Sequence, residues 1–150
     1  MKAGGQSSVE YLMIIALTFA ILIPSIYLFF NYARQSSSEI IDAQIFSIGH
    51  ETINAAESMY FSGDGSKTVL EFSMPEGVNN ITILHKRELV FALETETGRS
   101  DAVFFSRVNI TSNNCLGSTC ALNGIEAEGF HRLRLESVSS GKEVRISEAK

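Results

Sequence analysis

The feature that most constrains this chain is an uninterrupted apolar run near its N-terminus. Residues 11–30 contain no charged side chain, and twelve of these twenty residues are Leu, Ile or Phe. As one helix they would span about 30 Å, the thickness of a bilayer core. Transfer of those side chains favours insertion by about 5 kcal/mol. We therefore expect this segment to enter a membrane at some stage of the protein's life.

Composition limits what the rest of the 150-residue chain can be. About 115 residues follow the apolar run, which is enough for one compact domain. The formal net charge is −5, and Lys and Arg form no cluster. Because nucleic-acid phosphates require a basic surface, the sequence argues against a nucleic-acid partner. The histidines, His50, His85 and His131, are scattered without catalytic spacing, so no enzymatic activity and no cofactor is expected.

After the apolar run, an amphipathic pattern continues without a break. Its apolar residues recur every three or four positions: Ile41, Ile45, Ile48, Thr52, Ala55, Ala56 and Met59. This periodicity predicts a helix with one buried face. We expect one long helix over 6–62, with 11–30 for a membrane or filament core and the second half for packing under a domain. Pro24 predicts a kink just N-terminal to it, near residues 20–23.

From Lys67 the period changes to two, which predicts short strands. Six are expected, around residues 70–73, 81–83, 88–94, 103–108, 132–136 and 143–147. Turn signals separate them at 75–77, 97–98 and 139–142. The sequence thus predicts an α+β fold. In it, the long N-terminal helix packs against a C-terminal antiparallel β-sheet or small β-sandwich over 66–150.

The residues before the apolar run form a short leader. Residues 1–5 carry Lys2 and end in two glycines, Gly4 and Gly5, that precede the helix. A secretory signal would place its cleavage site after the apolar segment, whereas cleavage here would leave the helix on the mature chain. The order of leader, polar tag and helix resembles the class III signal peptide of archaeal type IV pilin-like proteins. The residues that carry this resemblance are Gly5, Gln6, Ser8, Glu10, Tyr11 and Leu12.

The resemblance implies a function and a set of partners. A prepilin peptidase would cut between Gly5 and Gln6, and the helices would then assemble a cell-surface filament used for adhesion. The chain would be a membrane precursor first and an extracellular filament subunit later. Its partners would be its own copies, the membrane, an assembly platform and an ATPase. Two alternatives stay open, namely an uncleaved membrane anchor carrying an extracellular binding domain, and an archaellin.

Glu10 has a physical role in this interpretation. A carboxylate at the edge of an apolar helix is tolerable near lipid headgroups. In a bundle of helices it becomes buried, and leaving it unpaired costs several kcal/mol. In related pilins the proposed partner is the α-amine that cleavage frees on a neighbouring subunit. We therefore expect Glu10 to set the register of subunits, although a first-turn glutamate is also favoured by the helix dipole alone.

Three further features belong to the predicted β domain. Cys115 and Cys120 bracket a loop that can close a disulfide outside the cell; the alternative is a metal site completed by His131. Asn80 and Asn109 each begin an Asn-x-Thr acceptor for N-glycosylation. The number of such motifs is what chance predicts, so their structural context must decide whether either is used.

Overall fold

The computed structural model describes residues 6–95, 98–138 and 142–149, of which 6–8, 34–38 and 95 are described by their backbone alone. One helix and nine strands lie in this part of the chain. In chain order they are α1 (Gln6–Ser62), β1 (Lys67–Met74), β2 (Val78–Leu84), β3 (Glu88–Thr95), β4 (Gly98–Phe105), β5 (Asn109–Ser112), β6 (Asn114–Leu116), β7 (Thr119–Ala121), β8 (Gly129–Val138) and β9 (Glu143–Glu148).

The long N-terminal helix expected from the sequence is confirmed, and with it the α+β class. α1 runs without interruption past Pro24 and ends at Ser62. The residues that follow supply the stop, since Gly63 and Gly65 adopt φ of 96° and 80°, which favour glycine. The chain divides into two compact units, Met1–Glu39 and Ile40–Lys150. The second unit combines the C-terminal half of α1 with all the strands.

The strands form two sheets. The four-stranded sheet has the order β1-β8-β9-β5, and the five-stranded sheet has the order β4-β3-β2-β7-β6. Their pairings are antiparallel except for β5 with β9, which is parallel. The expectation of a purely antiparallel sheet is therefore wrong at this pair. The expectation of six strands is also wrong, because β6 and β7 have only three residues each and carry no alternation that could reveal them.

The strand predicted over 103–108 is in fact two strands in different sheets. Ser106 divides them: its hydroxyl donates to the Val108 carbonyl at 2.8 Å and accepts from the Val108 amide at 3.2 Å. A serine that bonds nearby backbone groups competes with strand pairing. The chain therefore leaves the five-stranded sheet after Phe105 and enters the four-stranded sheet at Asn109.

Both sheets and the second half of α1 enclose one hydrophobic core. The helix contributes Ile45, Ile48, Ile53 and Ala56, all buried. The predicted apolar stripe is thus the face that packs. Gly49 lies within this stretch, and a Cβ atom there would fall 2.4 Å from the ring of Phe104. The sequence suggests only a small cost in helix propensity for this glycine, whereas in the structure it admits an aromatic ring against the helix backbone.

Some sequence expectations fall outside the described residues. The leader of residues 1–5, including Gly5, is among them, as are Thr97 and residues 139–141 of two predicted turns. The predicted turn at 75–77 does join β1 to β2. Gly77 has φ of 85° there, a conformation that disfavours other residues.

Candidate functional site

The apolar half of α1 presents its side chains to the surroundings. Val9–Ala33 is long and apolar enough to cross a membrane. Its large hydrophobic side chains are exposed except for the half-buried Ile15, and the exposed ones range from 47% at Leu22 to 75% at Met13. A helix that is apolar on all sides is normally buried in a membrane or among other helices. Because an exposed surface of this kind marks an interaction site, we take it as the candidate site.

Glu10 is the one charged residue of this segment, and it is exposed. It begins a stripe along one side of the helix, continued three, four and seven residues later by Met13, Ile14 and Leu17. A shallow groove along this stripe is lined by Glu10, Met13, Ile14, Ala16, Leu17 and Ala20. The small alanines leave room for a neighbouring helix to approach closely. The arrangement suits packing against another helix, with the carboxylate at one end.

The apolar half of α1 contains Pro24 and two hydroxyl side chains that donate to its backbone. Pro24 has no amide hydrogen, so it cannot complete the bond to the carbonyl four residues earlier. Ser25 donates its hydroxyl hydrogen to the Ile21 carbonyl at 2.8 Å, and Thr18 makes the same bond to Ile14. Such bonds let polar side chains sit in an apolar helix, since they leave no hydroxyl unsatisfied in lipid. The kink expected at Pro24 stays a prediction.

The other residues of the leader motif are only partly described. Gln6 and Ser8 lie in the first turns of α1, and their side chains are outside the description. Tyr11 and Leu12 are exposed, at 67% and 64%. The roles of Gly5, Gln6 and Ser8 stay predictions.

The two cysteines form the expected disulfide. Cys115 and Cys120 are directly opposite each other in the β6–β7 hairpin, with their Cα atoms 3.9 Å apart. Their sulfur atoms are bonded to each other and not to a metal. His131, considered as a metal ligand, instead donates from Nε2 to the Ala127 carbonyl at 2.7 Å. Within the described residues, no group of three or more His, Cys, Asp or Glu could hold a metal ion.

The two glycosylation motifs have different surroundings. Asn80 is exposed on β2, whereas Asn109 is half-buried at the start of β5. Arg87 Nε donates to Asn109 Oδ1 at 3.5 Å. The hydroxyl of Thr111, the last residue of that motif, is buried and lies 3.4 Å from Cys115 Sγ. The two motifs are equivalent in sequence, but in the structure the first asparagine is exposed and the second is half-buried.

A polar cleft of about 160 Å³ opens beside β5, β7 and β9. Half of its lining residues are Ser or Asn, including Asn113, Asn123 and Ser147, and Glu148 is its one acidic side chain. Sequence reasoning missed it because its residues come from separate segments of the chain.

The outer surface of the four-stranded sheet is charged. Lys67 Nζ lies 2.8 Å from Glu136 Oε1 across β1 and β8. The hydrogen bond from Lys67, assisted by the charges of Lys67, Arg145 and Arg134, holds the pKa of the Glu136 carboxyl below its ordinary value. Both side chains are solvent-exposed to a substantial degree, so this pair contributes little to stability. It is a surface feature and not a reactive centre.

No family model, curated protein or solved structure matches this chain. What the protein does must therefore be argued from its own residues.

Proposed function

We propose that this protein is the structural subunit of an archaeal type IV pilus-like surface filament. It would be inserted in the cytoplasmic membrane as a precursor, cut after Gly5 by a prepilin peptidase, and assembled through its N-terminal helix. One observation carries the proposal: a single helix has an exposed apolar half and a second half packed into a β domain. That combination provides one surface for self-association and another for holding a domain outside the filament core.

The energy of assembly would come from helix–helix packing of the apolar half of α1. In the precursor, lipid has already removed that surface from water, which is worth about 1.5–3 kcal/mol for each large side chain. Close packing and polar pairing between helices would therefore favour the filament over the precursor in the membrane. Glu10 is the group whose pairing would matter most, because an unpaired charge is costly inside a bundle.

The partners follow from this mechanism. Copies of the same chain would pack against the stripe that begins at Glu10, while a peptidase, an assembly platform and an ATPase would act on the membrane precursor. Adhesion would belong to the exposed β domain. No reaction or cofactor is part of the proposal.

The identity of the first residue of the mature protein tests processing. We expect Gln6, free or cyclised, when the protein is isolated from cell surfaces. Met1 would instead indicate the uncleaved anchor that carries a binding domain. Electron microscopy of the same preparation should show filaments. Processed chains without filaments would contradict the structural role.

The variant Glu10→Gln tests assembly. We expect normal cleavage before Gln6 and a several-fold lower yield of filaments, because the charge that sets the register is gone. Glu51→Gln is the matched control, since Glu51 is an exposed glutamate in the second half of the same helix. Wild-type filament yield from Glu10→Gln would show that Glu10 does not set subunit register.

A further inference from the structure

The outer face of the five-stranded sheet carries exposed apolar side chains beside its charged ones. Leu89 and Phe91 on β3 and Phe104 on β4 point into the core. The residues that alternate with them along these strands therefore point outward. Strand register then places three rows of side chains on that outer face: Asn80, Ala92 and Asp101; Thr82, Val90 and Val103; and Leu84, Glu88 and Phe105. We call these nine positions the apolar outer face.

Two of the nine positions are charged, Glu88 and Asp101, and the next row adds Glu94 and Arg99. On β1 and β8 of the four-stranded sheet, five of the eight outward positions are charged, namely Lys67, Glu71, Arg132, Arg134 and Glu136. A sheet face against water is normally polar. On β3 and β4 four of the eight outward positions are charged, but Val103 and Phe105 are 42% and 71% exposed beside them.

An acceptor for glycosylation lies on this same face. Asn80 sits beside Ala92, and its motif partner Thr82 sits beside Val90. Asn80 is exposed. β2 pairs with β7 only from Thr82 onward. In its pairing with β3, a register shift falls between Val78 and Asn80. The amide is therefore accessible on a locally irregular backbone next to an apolar surface.

Thr82 is half-buried between β3 and β7, but the second motif is more enclosed at both positions. Asn109 is half-buried and accepts a hydrogen bond from Arg87. The amide of the next residue, Ile110, donates to the Lys86 carbonyl at 2.8 Å, and β5 is paired with β9 along its length. Thr111 is buried against the disulfide. An enzyme that reads the asparagine amide and the threonine hydroxyl together would find both obstructed in the folded chain.

We propose that Asn80 carries an N-linked oligosaccharide whose first sugars lie across the apolar outer face, and that Asn109 is unmodified. In the transfer, the Asn80 Nδ2 atom forms a bond to the anomeric carbon of a lipid-linked oligosaccharide. The bond from that carbon to the lipid phosphate oxygen breaks, the lipid phosphate leaves, and the amide loses one proton. The inference rests on the proposed function, because that function places the β domain outside the cell.

The placement of the sugars follows from geometry. Neighbouring strands lie about 4.8 Å apart and successive residues about 3.3 Å, so Phe105, two strands across and four positions along from Asn80, is about 16 Å away. A short oligosaccharide attached to Asn80 reaches that distance. Sugar rings have faces made of C–H groups, which pack against aliphatic and aromatic side chains such as Val103 and Phe105. The glycan would thus cover Val103 and Phe105, the exposed apolar side chains of this face; Val90, between them and β2, is already buried.

The experiment is mass spectrometry of the protein isolated from its own cells. We expect the intact mass to exceed that of the unmodified chain, and the peptide containing Asn80 to carry all of the excess. Asn80→Gln should remove it, and Thr82→Val should remove it too while leaving Asn80 in place. Asn109→Gln and the non-motif control Asn123→Gln should keep it. An unmodified intact mass, or sugar on the Asn109 peptide, would overturn the proposal.

Hydroxyl-radical footprinting tests where the sugars lie. Phe105 should be oxidised several-fold faster in Asn80→Gln than in the wild-type protein. Phe130 is the control, because it is also exposed, at 66%, but lies on the four-stranded sheet, so its rate should not change. Equal rates at Phe105 would refute the covering of this face. The same mass spectra identify the N-terminal residue. Gln6 together with unmodified Asn80 would contradict only this inference. Met1 together with modified Asn80 would contradict only the proposed filament.

Discussion

The two halves of α1 show how one helix can follow two different rules of burial. In the first half, Ile14 and Ile23 are 63% and 64% exposed. In the second half, Ile45 and Ile53 are 1% and 5% exposed. The difference lies in the pattern of the sequence and not in the type of residue. An apolar stripe fits a single domain, whereas apolar residues on all sides require lipid or other helices.

The same substitution in both halves of α1 tests most directly whether only the second half stabilises the β domain. Ile45→Ala should lower the free energy of unfolding of the β domain by about 2–5 kcal/mol, because it leaves a cavity in the core. Ile23→Ala should leave that value unchanged, since Ile23 has no part in the core. Urea unfolding of the full chain in detergent, followed through hydrogen exchange of the β8 amides, measures both. Equal losses from the two variants would contradict the division of roles.

A second substitution tests how closely the second half of α1 packs against the sheets. Gly49→Ala gains about 1 kcal/mol of helix propensity, but the added methyl group meets the Phe104 ring. Overpacking of this kind costs about 1–3 kcal/mol, so we expect a net loss of about 1 kcal/mol in the same measurement.

The control for that substitution is a double-mutant cycle with Phe104→Leu. The loss in the double variant should be smaller than the sum of the two single losses, because the smaller side chain relieves the contact. Strict additivity would mean that the ring and the glycine do not constrain each other.

The smallest effect concerns charge on the sheet surface and not helix packing. Lys67→Met removes the hydrogen bond that lowers the pKa of Glu136. A lowered pKa stabilises the fold above the unfolded value of about 4.3, and the gain disappears as pH falls through the folded value. The variant should therefore be slightly less stable than wild type at neutral pH and equal to it in strong acid. Thermal unfolding at several pH values measures this, and a gap that widens in acid would contradict it.

Much of the fold could be predicted from the sequence, because strong periodicity marks it. The spacing of Ile45, Ile48 and Ala56 predicts the packed face of α1, and the glycines after Ser62 predict its end. The alternation around Leu133 and Leu135 predicts β8. The disulfide also follows from the sequence, since six residues allow the two cysteines to meet across a hairpin.

The rest depends on contacts between distant residues. Strands of three residues, such as β6, are too short to show alternation. The parallel pairing of β5 with β9 joins residues 34 positions apart, as in Asn109 with Glu143, and no local pattern encodes it. The difference between Asn80 and Asn109 depends likewise on Arg87, which lies 22 positions before Asn109.

The contact between Gly49 and Phe104 also fixes how the helix docks. A turn of the helix by one residue rotates its surface by about 100° and would bring the side chain of Ile48 or His50 under the ring, where only a hydrogen atom fits. The ring of Phe104 therefore fits at only one position along the helix. This contact fixes both the rotation of the helix about its axis and its position along that axis relative to the sheets.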